Sequence, residues 1–290
     1  MKPALFRYAR PETLDEALAL LAEHGSEAAV LAGGQSLMPM LNLRLAAPSI
    51  IVDINRIPGL DRIARTADGL VLGARVRHND VLRSPDVRAA APLLPMALAH
   101  VAHEAIRNRG TLGGSLALAD PAAELPACAV CLDATITVTS GAGERAVAAS
   151  DFFEALYTTA LQPGELLTAV TVPARDASWR FAFDEVARRH GDFALAAVAV
   201  AARVEDERIA DCRIVFTGIE PTSRRIAAAE ACLTGAELAS GEAVAEAVAA
   251  LAHALEPMEN SDYPIAYKLH LAGVLLSRAL AKVAQARRAA

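Results

Sequence analysis

The patterning of this 290-residue chain predicts an α+β fold. Short β-patterned runs with brief helical segments between them fill the first 173 residues. Three longer strands follow Trp179, and from Ser223 onward the apolar spacing is helical. Strands followed by helices, rather than strict alternation, indicate α+β packing.

The first helix is marked by a capping box, Thr13 with Glu16, and by the stripe Leu14, Ala17, Leu18 and Leu21; Gly25 ends it. Ala28 to Leu31 is a short strand, and Ile50 to Ile54 a second, followed by the turn Ile57-Pro58-Gly59. Leu70 to Val76 reads as a strand, after which Asn79 or Asp80 caps a short helix. The spacing then predicts a longer helix from Val87 to His103, and a further helix capped by Asp120 with Pro121 at its first position. Ala134 to Thr139 and Arg145 to Ala148 form a hairpin around Gly141-Ala142-Gly143, and Leu166 to Val172 closes the section. Beyond the linker Ala174 to Trp179 come strands Phe181 to Ala187, Phe193 to Val204 and Ile209 to Ile219. Helices are expected over Ser223 to Leu233, Glu242 to Leu255 and Asp262 to Ala286.

Composition narrows the function. Hydrophobic residues make up 54% and the mean hydropathy is +0.30, an excess that is largely alanine. The longest apolar run, Phe193 to Ala202, is well short of the roughly 18 residues that a membrane helix needs. With no apolar leader at the N-terminus, a cytoplasmic protein is expected. A net charge of -6 opposes a nucleic-acid footprint. Of the four cysteines, Cys128 and Cys131 have metal or redox spacing, but no second such pair accompanies them, and their apolar setting reads as a helix core. His100 and His103 lack an evident third ligand, so no metal site is assigned.

Two diglycine segments, Gly33-Gly34 and Gly113-Gly114, carry the chemistry. Adjacent glycines let backbone N–H groups turn outward and approach a ligand closely. Neither segment has the dinucleotide fingerprint G-x-G-x-x-G or the Lys-Ser/Thr of a nucleotide-triphosphate loop. Each alone could be a tight turn. Together, with the hydroxyls of Ser36, Thr111 and Ser115, they suggest one long anionic ligand. No base–nucleophile pair adjoins them, so no catalytic residue is assigned. Arg107 and Arg109, just before the second segment, could steer phosphates or be solvated helix-end charges.

The segments VLAGGQSLMPMLNLRL (30–45) and IRNRGTLGGSLALADPAAELPA (106–127) resemble the flavin-binding motifs of the FAD subunit of molybdenum hydroxylases. That family includes the medium subunit of carbon-monoxide dehydrogenase and the flavoprotein part of xanthine dehydrogenase. Residues 151–173 and 185–200 resemble it too, so the likeness runs over nearly the whole chain. It implies a two-part FAD-binding domain of the vanillyl-alcohol-oxidase-like (PCMH) type over 1–175, with subdomains of about 1–58 and 59–175. A C-terminal α/β domain with an antiparallel sheet and helices would span 176–290. The implied cofactor is FAD, wrapped by Leu31, Ala32, Gly33, Gly34, Gln35, Ser36 and Leu37. Thr111, Gly113, Gly114 and Ser115 would close on its phosphates and ribityl chain, with Val101, Ala102, Ile106, Gly110 and Ala117 beside them. Asp120 and Glu124 would make polar contacts, Leu167 an apolar one, and Phe193 would cover one face of the flavin ring.

The resemblance further implies a large molybdopterin subunit and a small iron–sulfur subunit as partners. Electrons would arrive from [2Fe-2S] clusters and leave to an external acceptor; whether the heterotrimer doubles stays open. This chain departs from the pattern at Ser115, where many relatives carry Asn, and at Glu124, where many carry Asp. The acidic Asp184-Glu185 stands where relatives often carry Lys, so a cation that would stabilise a reduced flavin is expected to be missing. A stand-alone flavin oxidoreductase and a flavin-free adaptor are the alternative readings.

Overall fold

The computed structural model describes residues 2–259 and 262–286. The chain opens with β1 (Arg7–Ala9), α1 (Leu14–His24), β2 (Ala28–Leu31), α2 (Leu37–Asn42) and β3 (Ile50–Asp53). The strands form a parallel sheet in the order β1-β3-β2. The capping box is present: Glu16 N–H donates to Thr13 Oγ1 at 3.2 Å, and the Thr13 N–H donates back to the Glu16 carboxylate. Ala17, Leu18 and Leu21 pack with Val52, Ile54 and Ile57 into a small core.

A second section follows, with β4 (Ile63–Arg65), β5 (Gly69–Gly73), α3 (His78–Arg83), α4 (Pro85–Ala90), α5 (Leu93–Leu98), α6 (Glu104–Arg107), α7 (Leu112–Leu118) and α8 (Glu124–Cys131). Then come β6 (Thr135–Ser140), β7 (Gly143–Ala148), α9 (Ala149–Phe152), β8 (Phe153–Ala155), β9 (Thr158–Thr159) and β10 (Leu166–Pro173). An antiparallel sheet in the order β4-β5-β10-β6-β7 backs the helices. The last section holds β11 (Trp179–Ala187), β12 (Ala194–Glu205), β13 (Arg208–Thr217), α10 (Ala227–Leu233), α11 (Gly241–Ala254) and α12 (Ile265–Gln285). Among the described residues no helix is long and apolar enough to cross a membrane.

The third sheet explains the all-apolar run on β12. Ala197, Ala199 and Ala201 face the helices of the second section, while Ala196, Val198, Val200 and Ala202 face α10–α12. A strand buried on both faces loses its polar alternation. α12 supplies Leu271, Leu275, Leu276, Ala279, Leu280 and Val283 on one helical stripe to the outer layer.

The middle of the chain differs from the expected helices. The Val87–His103 helix is broken: Ala91, at φ -142° and ψ 60°, precedes Pro92, which disfavours helical backbone before it, and a separate turn around Ala102 (φ 42°) leads to α6. Neither Asn79 nor Asp80 caps α3; both lie inside it, and Arg77 occupies the extended N-cap position. Asp120 does not cap α8. Its Oδ1 accepts from Ala122 N–H in a turn, and the helix starts at Glu124. Residues 223–226 do not begin α10, because Arg225 bridges to Val215 and Ile226 N–H donates to Ile214 O.

Candidate FAD-binding cleft

The two diglycine segments play different parts. In the first, the N–H groups of Gly34, Gln35, Ser36 and Leu37 have no acceptor among the described residues, while Met38 N–H donates to Gly34 O at 3.1 Å. Gly34 holds φ at +73°, a conformation that suits glycine. The second segment is the opening turn of α7, capped by Thr111. Its donors are already engaged: Leu112 N–H to Val76 O, Gly113 N–H to Ala74 O at 2.8 Å, and Gly114 N–H to Thr111 Oγ1 at 3.1 Å. The expectation of free backbone donors in both segments therefore holds only for the first. Gly113 lacks a side chain because α7 packs on Ala74, whose oxygen would lie 2.7 Å from a Cβ there.

The segments also touch. A Cβ on Gly33 would overlap the carbonyl oxygen of Arg109 and lie 3.0 Å from Gly110 Cα. Behind this contact runs a polar strut. Asn55 Nδ2 donates to Ala32 O at 2.8 Å, Arg77 Nη2 donates to Asn55 Oδ1 at 2.6 Å, and Arg77 Nη1 donates to Arg109 O. The strut ties the parallel sheet to the approach of α7. Sequence reasoning missed Asn55 and Arg77; neither lies in a motif, and their pairing is tertiary.

Between the segments lies a cleft of about 630 Å³, within the range of roughly 300–1,000 Å³ usual for small-molecule sites. The sequence-expected residues Ala32 to Leu37, Val101, Ala102, Ile106, Gly110, Thr111, Gly113 to Ser115, Ala117, Asp120, Glu124, Leu167 and Phe193 all line it. Leu31 does not; it faces a second cavity behind the first loop, beside Asn55 and Arg109. His78, Ala74, Leu161 and Leu166 join the lining without having been expected. Phe193 is 63% exposed at the rim, and Gly191 (φ +85°) brings its loop against Ala102 O, where a Cβ would sit at 3.0 Å. Arg107 is a bracket rather than a phosphate guide, donating to Val101 O at 2.7 Å and Ala102 O at 2.8 Å.

Burial dominates the electrostatics of the acidic end. It pushes the Glu124 carboxyl up to about 8, assisted by nearby Glu185 and Asp120. Burial, with Asp184 beside it, lifts Glu185 to about 7. Asp120 instead accepts from Tyr157 O–H at 3.2 Å. The cations near Asp184-Glu185 stand away from the cleft. Asp184 lies on the far face of β11, where Arg278 (2.8 Å) and Lys282 (3.2 Å) pair with it. Cys128 and Cys131 are buried in α8, and desolvation raises both thiols. His100 packs on the Phe183 ring at 5.4 Å.

A cleft with one wall of unengaged N–H groups, polar hydroxyls and carboxyls along its floor, and an aromatic at its mouth fits a flavin dinucleotide. These features define the class as an FAD-binding domain joined to an α/β domain. Residues 4–175 match the FAD binding domain in molybdopterin dehydrogenase, and residues 181–283 match the CO dehydrogenase flavoprotein C-terminal domain. The caffeine dehydrogenase subunit beta of Pseudomonas sp. (strain CBB1) is 40% identical over 98% of this chain and 96% of that protein. The carbon monoxide dehydrogenase medium chain of Hydrogenophaga pseudoflava is 37% identical over 97% of each. The solved structure of carbon monoxide dehydrogenase from Hydrogenophaga pseudoflava superposes over 100% of both chains with a TM-score of 0.95 at 39% identity. That of quinoline 2-oxidoreductase from Pseudomonas putida 86 gives 0.93 at 38% identity, over 98% of this chain and 99% of that one. The chain belongs to the FAD-binding medium-subunit family of molybdenum hydroxylases, and is thus an oxidoreductase subunit.

Proposed function

We propose that this chain is the electron-output subunit of a three-component molybdenum hydroxylase. It would receive electrons from [2Fe-2S] clusters on a small subunit, deliver them to an external acceptor, and leave substrate oxidation to a large molybdopterin subunit. The observation that carries this reading is the cleft lined by both diglycine segments, with the N–H groups of Gly34 to Leu37 left without acceptors among the described residues. The protein in such a site supplies binding, orientation and electrostatics, and bound FAD supplies the redox chemistry.

The residues divide that work. The N–H groups of Gly34 to Leu37 would bind the pyrophosphate, an acceptor that otherwise keeps its water. Thr111 and Ser115 add hydroxyls from the opposite wall. Glu124, whose carboxyl burial pushes up to about 8, can when protonated donate a hydrogen bond where an ionised carboxylate could only accept. Phe193 shields one ring face from water. The FAD-binding unit would occupy residues 1–175, with its cleft between the parts near 1–58 and 59–175, and the remainder would form the C-terminal domain.

Rapid mixing of the assembled complex with its substrate tests this reading. Flavin bleaching should require the iron–sulfur subunit. A lone, FAD-loaded chain that turns over substrate would overturn the assignment.

A further inference from the structure

His78 is the polar side chain of the cleft that the described contacts leave unsatisfied. It is 7% exposed, it lines the cleft, and beyond a weak approach to the Thr111 backbone neither ring nitrogen has a well-formed hydrogen bond among the described residues. Its Cε1–Nδ1 edge lies over Gly110, 2.9 Å from where a Cβ would stand, so a glycine there leaves that edge room. A buried donor or acceptor without a partner is costly, and few native groups are left in that state.

The wall around His78 sharpens the point. The N–H groups of Leu112, Gly113, Gly114 and Ser115 all donate within the protein, to Val76, Ala74 and Thr111. This side of the cleft therefore offers an anionic or hydroxylated ligand few backbone donors. Side chains must supply them, and His78 sits beside Gly110 and Thr111 where that supply is missing.

We propose that His78 is a cofactor-contacting residue, donating an imidazole N–H to an oxygen of the ribityl-pyrophosphate portion of FAD; the proposal rests on the FAD reading above. The ring does this as a neutral group. Burial pushes its pKa down to about 4, with Arg107 and Arg77 adding to the effect against the Thr111 backbone. It therefore acts by a directed hydrogen bond and not as a counter-charge. Sequence inspection alone passes over it, because a single histidine beside Arg77 has no motif.

The test uses the full chain, freed of flavin and titrated with FAD by fluorescence. His78→Leu should weaken FAD binding by about tenfold, the scale expected for one lost hydrogen bond to a charged or buried acceptor. His78→Gln keeps an N–H donor and should stay within about threefold of the parent. Equal affinity in the parent and His78→Leu, with the fold intact by circular dichroism, would overturn the proposal. If His78→Leu fails to fold, the ¹⁵N signals of the His78 ring in the parent chain decide. They should move on FAD addition, and unmoved signals mean that water or the protein satisfies the ring. A parent chain that binds no FAD at all refutes the broader FAD reading instead, so the two failures are distinct.

Discussion

Single atoms decide whether the cleft can close. Gly33 has no room for a methyl group, since the obstacle is the Arg109 carbonyl and not a side chain that could rotate away. Gly33→Ala is expected to lower FAD retention at least tenfold and to destabilise the fold by about 1–3 kcal/mol, the usual range for overpacking. Gly141→Ala, in open space at a hairpin turn, is the control and should leave both unchanged; thermal melts and the flavin content of the purified protein read the pair. Glu124 supplies a pH signature. Its carboxyl binds a proton up to about pH 8 in the folded chain but releases it near the usual carboxylate value when unfolded. Between those values the folded state holds the extra proton, so stability falls as pH rises through that window. Glu124→Gln should flatten that slope and be more stable than the parent at pH 8, with the advantage vanishing below about pH 4, where both states of the parent are protonated. A parallel pair of melting curves against pH would exclude an important role for this proton.

Elements are held by partners the chain brings from far away. Asn55 follows β3, Arg77 precedes α3, and their bond at 2.6 Å joins the wall of the first loop to the approach of α7. If they act as one strut, the single changes Asn55→Ala and Arg77→Ala should each raise the FAD dissociation rate, and the double change should add little. That non-additivity in a double-mutant cycle distinguishes a shared strut from two independent contacts. The capping box of α1 is local by comparison, and Thr13→Ala should cost about 1 kcal/mol while leaving flavin affinity unchanged.

This contrast shows what the sequence could reveal. α1, β2, β3, the hairpin β6–β7 and β10 were legible because a cap, a period-2 run or a glycine turn encodes each locally. α3 and α8 were legible as helices but not in their caps, and α4 to α7 were not, because Pro92, the turn at Ala102 and the bridge from Arg77 to Thr111 interrupt a continuous apolar pattern. Nearly all the expected lining residues lie together, since they cluster in two continuous motifs. Asn55, Arg77 and His78 escaped notice because their meaning depends on which distant backbone groups they face.

At the scale of the molecule, the cleft is a joint between layers that otherwise have separate cores. The parallel sheet packs on α1, the central helices share a core with one face of β12, and α10–α12 cover its other face. The Gly191–Phe193 loop reaches the cleft from this third layer, and Gly33 meets Arg109 from the first. A ligand in the cleft must therefore report on all three, but unequally. The first loop contributes unengaged N–H groups, α7 contributes groups already bonded, and the β11–β13 ladder lies outside the lining. Hydrogen exchange of the full chain with and without FAD should show the largest gain in protection at Gly34 to Leu37, whose amides acquire their first acceptors. A smaller gain is expected at Gly191 to Phe193 as that loop settles, and little change along β12, whose amides already sit in a sheet buried on both faces. Opening free energies rise by as much as the ligand stabilises the state being opened, about 2.7 kcal/mol at a hundredfold excess over Kd. A uniform rise across every segment would mean that FAD stabilises only the global fold. A rise confined to the first loop would mean that the third layer takes no part in holding the cofactor, and Phe193 would lose its assigned place over the ring.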